Sequence, residues 1–338
     1  MLIGIVLGLL TALFHSLTYL ATRWYTADRG WPTRQLLVHA HLIMGALAWA
    51  ALPLLWPDGL RFEARWVVPY VLLITLFVIA QACLITALER VEASRVAPLL
   101  GLKVAMLAVI ASVAGQDLAL LQWLAVVLAV ISAWVLNGVG GRLPWQATTL
   151  MLVACASYAA CDTCILHVMN QVKAITGDRS VTGVSNWTVA AVYSGVSLVA
   201  LALLPVYGCR KPAAWRDALP YAGCWLSAMV TLYATFAAVG TVLGAILQST
   251  RGLISIGLGV TLAAMGWHHL EQKHGRSVVV RRLGAALLMT LAVVLYVTSG
   301  VGGDADEVEP AVAEAEGGVA VGAAEGPTAG SRGLRDGG

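Results

Sequence analysis

LIGIVLGLLTALFHSLTYLAT, residues 2–22, runs for 21 positions without an Asp, Glu, Lys or Arg. At 1.5 Å of rise per residue, a helix of that length covers the roughly 30 Å of a bilayer's hydrocarbon core. A soluble helix of the same length carries a polar face, and this one does not. The run has no basic flank and is too long for the core of a signal peptide, so it reads as a retained first span.

Working outward, charged residues and Gly/Pro clusters divide the chain into ten such segments, at about 2–22, 35–56, 66–88, 95–114, 119–139, 146–169, 186–208, 219–239, 241–266 and 282–302. Segments eight and nine meet at Gly240, and a single broken helix there would reduce the count to nine. Hydrophobic residues make up 59% of the chain, charged residues 12%, and mean hydropathy is +0.81. Backbone groups in hydrocarbon have no water to bond, so each span is a helix or part of a closed barrel. Barrel strands alternate apolar and polar positions, and these runs do not. The expected fold class is all-α integral membrane, with ten transmembrane helices.

The net charge of +3 conceals an asymmetry: residues 1–302 carry 19 Lys and Arg against 10 Asp and Glu, and residues 303–338 carry 2 against 8. The last stretch, rich in Gly, Ala and Glu and without aromatics, is expected to be a disordered acidic tail. Five of the six cysteines lie in apolar runs, which argues against a disulfide framework. The Cys161-x-x-Cys164 pair falls inside a span and reads as small apolar residues.

A weak internal repeat runs through the body. An offset of 148 positions superposes Lys103 on Arg251, the two basic residues that lie inside spans. The expected halves are residues 1–140 and 141–302, each of five spans. An odd number of spans turns the second half upside down relative to the first. Inverted repeats of this kind put a substrate site near the bilayer midplane, between the halves.

The string Ala87-Leu88-Glu89-Arg90-Val91-Glu92-Ala93-Ser94-Arg95-Val96-Ala97-Pro98-Leu99 resembles the junction between the third and fourth helices of the drug/metabolite transporter superfamily, in its EamA-like branch. In that family a small residue, Ser, x, Ala, Pro, Leu pattern opens helix four, and an acidic residue after Gly opens helix five. Here Gly115-Gln116-Asp117 stands at that place, with the acid one position late. In the second half the matching link is longer, from Trp267 to Arg282, and contains Glu271. The resemblance implies ten helices in two halves, and a secondary transporter of small metabolites or drugs in the cell (inner) membrane. Export is the expected direction.

Three ionisable residues lie deep within spans: Lys103, Asp162 and Arg251. A charge at the bilayer centre costs roughly 2.5–3.5 kcal/mol on insertion scales, so each is expected to face the bundle interior. Lys103 has the alternative of snorkelling to the interface, and Asp162 of forming a structural ion pair with either cation. Two cations and one anion leave a net positive site, suited to anionic or zwitterionic substrates, and an Arg fork holds a carboxylate bidentately. His15, Ser16 and Tyr19 share one side of the first helix, and Tyr158 lies one turn before Asp162. Gln81, Tyr233 and Gln248 complete the candidate lining. His15 is a candidate for proton coupling, or a buried histidine bonded to a carbonyl. His39 and His41, two apart, are read as packing residues. Trp24, Trp31, Trp56, Trp66, Trp145 and Trp187 sit at segment ends and are read as interfacial anchors. Small-residue ladders, Ser255-Gly259-Ala263, Ala108-Ser112 and Ala111-Gly115, are read as packing seams.

Enzyme motifs are missing. No Gly-rich loop leads into Lys-Ser or Lys-Thr, which argues against ATP drive. His268, His269 and His274 with Glu271 do not follow the His-Glu-x-x-His order and read as a solvated loop end. No cofactor and no metal are expected. The expected partners are a small-molecule substrate and the lipid bilayer; a homodimer is left open, and nucleic acid is not expected. An integral membrane enzyme acting on lipid-linked substrates, or a non-transporting scaffold or receptor, are the competing classes.

Orientation follows from charge. Of the Lys and Arg in the links, 13 fall in the set containing the first and last links and 4 in the alternate set. The positive-inside rule makes the larger set cytoplasmic and turns both termini outward, whereas the family resemblance implies cytoplasmic termini. By the count, a cysteine placed in the Trp267–Arg282 link stays unlabelled when intact cells are treated with an impermeant thiol reagent. Labelling from outside would reverse the assignment.

Overall fold

The computed structural model describes residues 1–61, 66–88, 100–115, 117–137, 144–177, 180, 182–264 and 276–300. The whole Glu89–Leu99 stretch, Gln116, the His268 cluster with Glu271, most of the Trp267–Arg282 link and the acidic tail lie outside the described residues. Among the described residues the secondary structure is helical, with no strand. The helices are α1 (Leu2–Arg23), α2 (Thr33–Ala51), α3 (Val67–Leu88), α4 (Leu102–Val113), α5 (Leu120–Asn137), α6 (Trp145–Thr176), α7 (Gly183–Tyr207), α8 (Pro212–Ser249), α9 (Arg251–Ala264) and α10 (Arg276–Gly300). A π-helical turn, Trp24–Asp28, extends α1.

Among the described residues, five stretches are long and apolar enough to cross a membrane: Leu2–Asp28, Val67–Ala87, Trp145–Thr176, Gly183–Tyr207 and Pro212–Ser255. Leu102–Val113 and Leu120–Ser132 are shorter apolar helices. The outer surface carries large apolar side chains that water would not tolerate in such density: Leu2, Leu54, Val68, Val113, Leu120 and Trp134 are all mostly exposed. Lipid is the solvent that fits this surface. The protein is therefore a multi-pass membrane protein.

Some helices run past the apolar segments that announce them. α6 begins after Pro144 and continues to Thr176, seven residues beyond the expected end, because Gln171 and Lys173 can remain helical in the headgroup region. Gly177, at φ 66°, ends it with a left-handed cap, its N–H donating to the Lys173 carbonyl.

α8 is not one rod. Gly240 sits at φ 77°, ψ 173° inside it. A Cβ added at Gly244 would lie 2.7 Å from the Phe236 ring. Eight residues along a continuous helix are roughly 12 Å apart, beyond the reach of a phenyl ring. The chain therefore doubles back at Gly240, and residues 212–239 and 241–249 are the two arms of a tight hairpin. α1 lies against both. Its Thr11 hydroxyl donates to that of Thr231 at 2.9 Å on the first arm, and its Gly8 abuts Leu247 on the second. The helical ladder falters again at Thr250, after which α9 begins.

Three pairings hold the bundle together: α1 with α8, α3 with α6, and α2 with α7. The α2–α7 contact is close enough that any Cβ at Gly45 would overlap the Ser197 side chain. This seam lies on other helices than the ladders read from the sequence. Of those ladders, Ala108 is buried in a cluster with Val104, Leu107, Ala129, Val242 and Ile246, while Gly115 is exposed in a turn. The larger core cluster is aromatic, and includes Tyr25, Phe77, Trp187, Tyr193, Trp225 and Tyr233.

The hairpin can be tested at its turn. The backbone region of Gly240 is open essentially to glycine alone, so Gly240→Ala is expected to cost about 1–3 kcal/mol. Gly223, helical in α8 with open space beside it, provides the control: alanine there is neutral or stabilising. Thermal unfolding in detergent should separate the two variants. Equal midpoints would contradict the reversal.

Candidate functional site

Five helices deliver polar side chains to one interior cavity of about 50 Å³, room for a few water molecules. Eight of the nine residues expected from the sequence line it: His15 and Tyr19 from α1, Lys103 from α4, Tyr158 and Asp162 from α6, Tyr233 and Gln248 from the two arms of α8, and Arg251 from α9. Gln81 does not. It faces a separate crevice between α2, α3 and α7, beside His41, and its Nε2 is buried without a partner among the described residues. Periodicity could assign Gln81 to a buried face of α3, but that helix is apolar all round and presents buried residues to more than one neighbour.

The Lys103 ammonium lies 2.6 Å from Asp162 Oδ2, and both side chains are almost fully buried. Lys103 therefore does not snorkel, and its partner is the acid on α6. The ammonium also donates to Gln248 Oε1 at 2.8 Å. An ammonium only donates, so Gln248 must face it with its carbonyl, which leaves its amide N–H for His15 Nε2 at 3.4 Å. The other ring nitrogen, Nδ1, is 2.9 Å from the Thr11 carbonyl, which only accepts. The hydrogen on His15 is thus on Nδ1, Nε2 accepts from Gln248, and the ring is neutral. Donation runs outward from Lys103, to Asp162 on one side and through Gln248 and His15 to the backbone of α1 on the other.

Arg251 stands apart from this chain. It is 7% exposed and lines the cavity, and its carbonyl accepts a hydrogen bond from the Ser16 hydroxyl at 2.9 Å. Among the described residues its guanidinium has no ion-pair or hydrogen-bond partner. Lys103 and Arg251 each lie in the first turn of a helix, α4 and α9, where the helix dipole favours anions over cations. Asp162 pairs directly with Lys103 and is within electrostatic reach of Arg251 as well. The described residues that line the cavity thus include two cations and one acid. Two further acceptor-seeking or aromatic groups complete it. The Tyr158 hydroxyl is buried without a described partner, and the Trp225 ring meets His15 edge-on with centroids 5.4 Å apart. The sequence reading missed Trp225. Its signal was a tryptophan in the middle of a span, where most others sit at span ends.

This arrangement, two buried cations and one acid around a cavity in an apolar helical bundle, can be set beside known proteins. Residues 2–138 match the EamA-like transporter family. The match agrees with the drug/metabolite transporter resemblance read from the sequence, and EamA-like proteins are membrane transporters rather than enzymes. No curated protein matches the chain. A solved crystal structure aligns with 86% of this chain and 95% of its own at a TM-score of 0.61 and 16% identity, a likeness of fold alone.

The Lys103–Asp162 pair yields a prediction about stability. Removing one partner of a buried pair costs about 3–5 kcal/mol because the other charge is left uncompensated. Lys103→Met alone should therefore lower the detergent unfolding temperature strongly, and Lys103→Met combined with Asp162→Asn should recover most of the loss. Equal destabilisation by single and double variants would mean that the two groups are not coupled.

Proposed function

We propose that the protein is a secondary transporter of small anionic or zwitterionic molecules, working by alternating access in the cell membrane. In this reading ten helices form two inverted halves, residues 1–140 and 141–302, which rock about the cavity between them. The packing supports it. Exchanging the halves turns the α1–α8 pairing into α6–α3 and maps α2–α7 onto itself, and these are the three main pairings of the bundle. The same exchange relates Lys103 to Arg251, which open the equivalent helices α4 and α9. The reversal at Gly240 supplies two arms where one broken helix would leave an odd count.

The observation that carries the substrate class is the buried Arg251 guanidinium lining the cavity, without a direct ion-pair partner among the described residues. An anionic substrate group there would complete the charge balance that Asp162 provides for Lys103. A planar fork binds a carboxylate in two parallel hydrogen bonds, an arrangement that a point-charge ammonium does not reproduce. His15, neutral and next to this group, is the proposed site of proton coupling: an anion on Arg251 lowers the cost of charging the nearby imidazole.

Transport in proteoliposomes tests the reading, using a panel of amino acids, organic acids and cationic drugs. Arg251→Ala is expected to abolish uptake of anionic and zwitterionic substrates while leaving a folded, membrane-inserted protein. Arg251→Lys should weaken it by about tenfold, the effect of losing one charge-assisted hydrogen bond. Full transport by a stable Arg251→Ala protein would remove Arg251 from the mechanism.

A further inference from the structure

A second cavity, larger than the central one, lies further along the same pair of helices. It has a volume of about 220 Å³ and is walled by Trp49, Trp56, Trp66, Tyr70 and Trp187, with Arg61 and Gln171 among its polar residues. On α3 it begins at Leu73, one turn from Phe77 of the central cavity, and on α6 at Val168, three residues beyond Ile165. Three of these tryptophans were expected to be interfacial anchors. Instead Trp66 and Trp187 are 9% and 6% exposed and belong to the core. Trp56 is the more exposed of the three, and its indole N–H donates to the Leu60 carbonyl at 3.0 Å, which folds the segment after α2 over the cavity.

The walls have a definite geometry. The Trp187 ring stands at 86° to Trp56 and 76° to Trp66, with centroids 5.9 and 6.2 Å away. Rings at right angles offer a flat guest one face to stack on and one edge to abut. Trp66 and Trp187 keep buried indole N–H groups with no partner among the described residues, and an indole only donates. Arg61 adds a cation at the exposed rim, and no Asp or Glu is among the described residues that line the cavity. A cavity of about 150 Å³ with apolar walls admits benzene, so this one has room for a ring bearing a carboxylate.

We propose that this cavity is a second binding site, for an organic anion with a flat aromatic body. The ring packs between the tryptophans, and the carboxylate faces Arg61. The site goes beyond the transport reading and does not depend on Arg251. An anionic phospholipid offers acceptor oxygens of similar charge but no flat ring, so the aromatic walls favour a free aromatic carboxylate.

The test is photolabelling of the full-length protein in phosphatidylcholine nanodiscs with 4-benzoylbenzoate, with mapping of the labelled peptides by mass spectrometry. Label is expected on residues 49–70 and 187–194. Trp187→Leu should reduce it about tenfold through loss of the stacking wall. Arg61→Gln, on the exposed rim and so without risk to folding, should reduce it several-fold. Arg251→Ala should leave label in this cavity even where it abolishes transport, so failure of either reading can be recognised separately. Benzophenone without the carboxylate should label weakly. Label confined to residues of the central cavity would overturn the proposal. So would equal labelling by the uncharged probe, or complete displacement by phosphatidylglycerol added to the nanodiscs, which would make lipid the occupant.

Discussion

Charge is expensive where this protein keeps it, and the arrangement of the interior follows from that cost. Lys103 and Asp162 meet at 2.6 Å with both side chains nearly inaccessible. Their mutual attraction would not repay desolvation if the remaining hydrogen-bonding capacity were left open. It is not left open: Gln248 takes one ammonium hydrogen, passes an amide hydrogen to His15, and His15 passes its own to the Thr11 carbonyl. Four helical elements are pinned to one another by this single chain, and each link has only one chemically allowed direction. The aromatic core around Phe77, Tyr193 and Trp225 packs against it. In such an environment Arg251, without a direct ion-pair partner among the described residues, is the group whose charge most requires an explanation, and a substrate anion is the one proposed.

Much of this was legible in the sequence because a bilayer imposes simple demands. The length and apolarity of residues 2–22 and their counterparts gave the helical class directly, since no other backbone arrangement survives in hydrocarbon without closing into a barrel. The rarity of ionisable residues within spans made Lys103, Asp162 and Arg251 conspicuous, and their convergence on one cavity follows from the cost of facing lipid. Tyr158 came with Asp162, and Tyr19 with His15, through helical spacing.

What the sequence concealed depended on which neighbour each face meets. Gln81 is as buried as expected, but α3 touches both α6 and α7, and only geometry decides to which side a glutamine turns. The choice of Lys103 over Arg251 as partner of Asp162 was equally open until the helices were placed. The tryptophans show the limits of a positional rule. Trp145 at the start of α6 is exposed as an anchor should be, whereas Trp66 and Trp187, also at helix ends, are drawn inward to wall a cavity. Helix ends in hydrocarbon were misjudged for a related reason: polar residues such as Gln171 and Lys173 end an apolar run without ending a helix.

The central claim is that Arg251 holds the anionic group of a transported substrate while Lys103 remains paired with Asp162. The most direct measurement is an experimental structure of the protein in nanodiscs with a transported carboxylate bound. The account predicts carboxylate oxygens within hydrogen-bonding distance of the Arg251 guanidinium, with the Lys103–Asp162 contact intact beside it. A bound carboxylate elsewhere, with Arg251 turned onto a carboxylate of the protein, would contradict it.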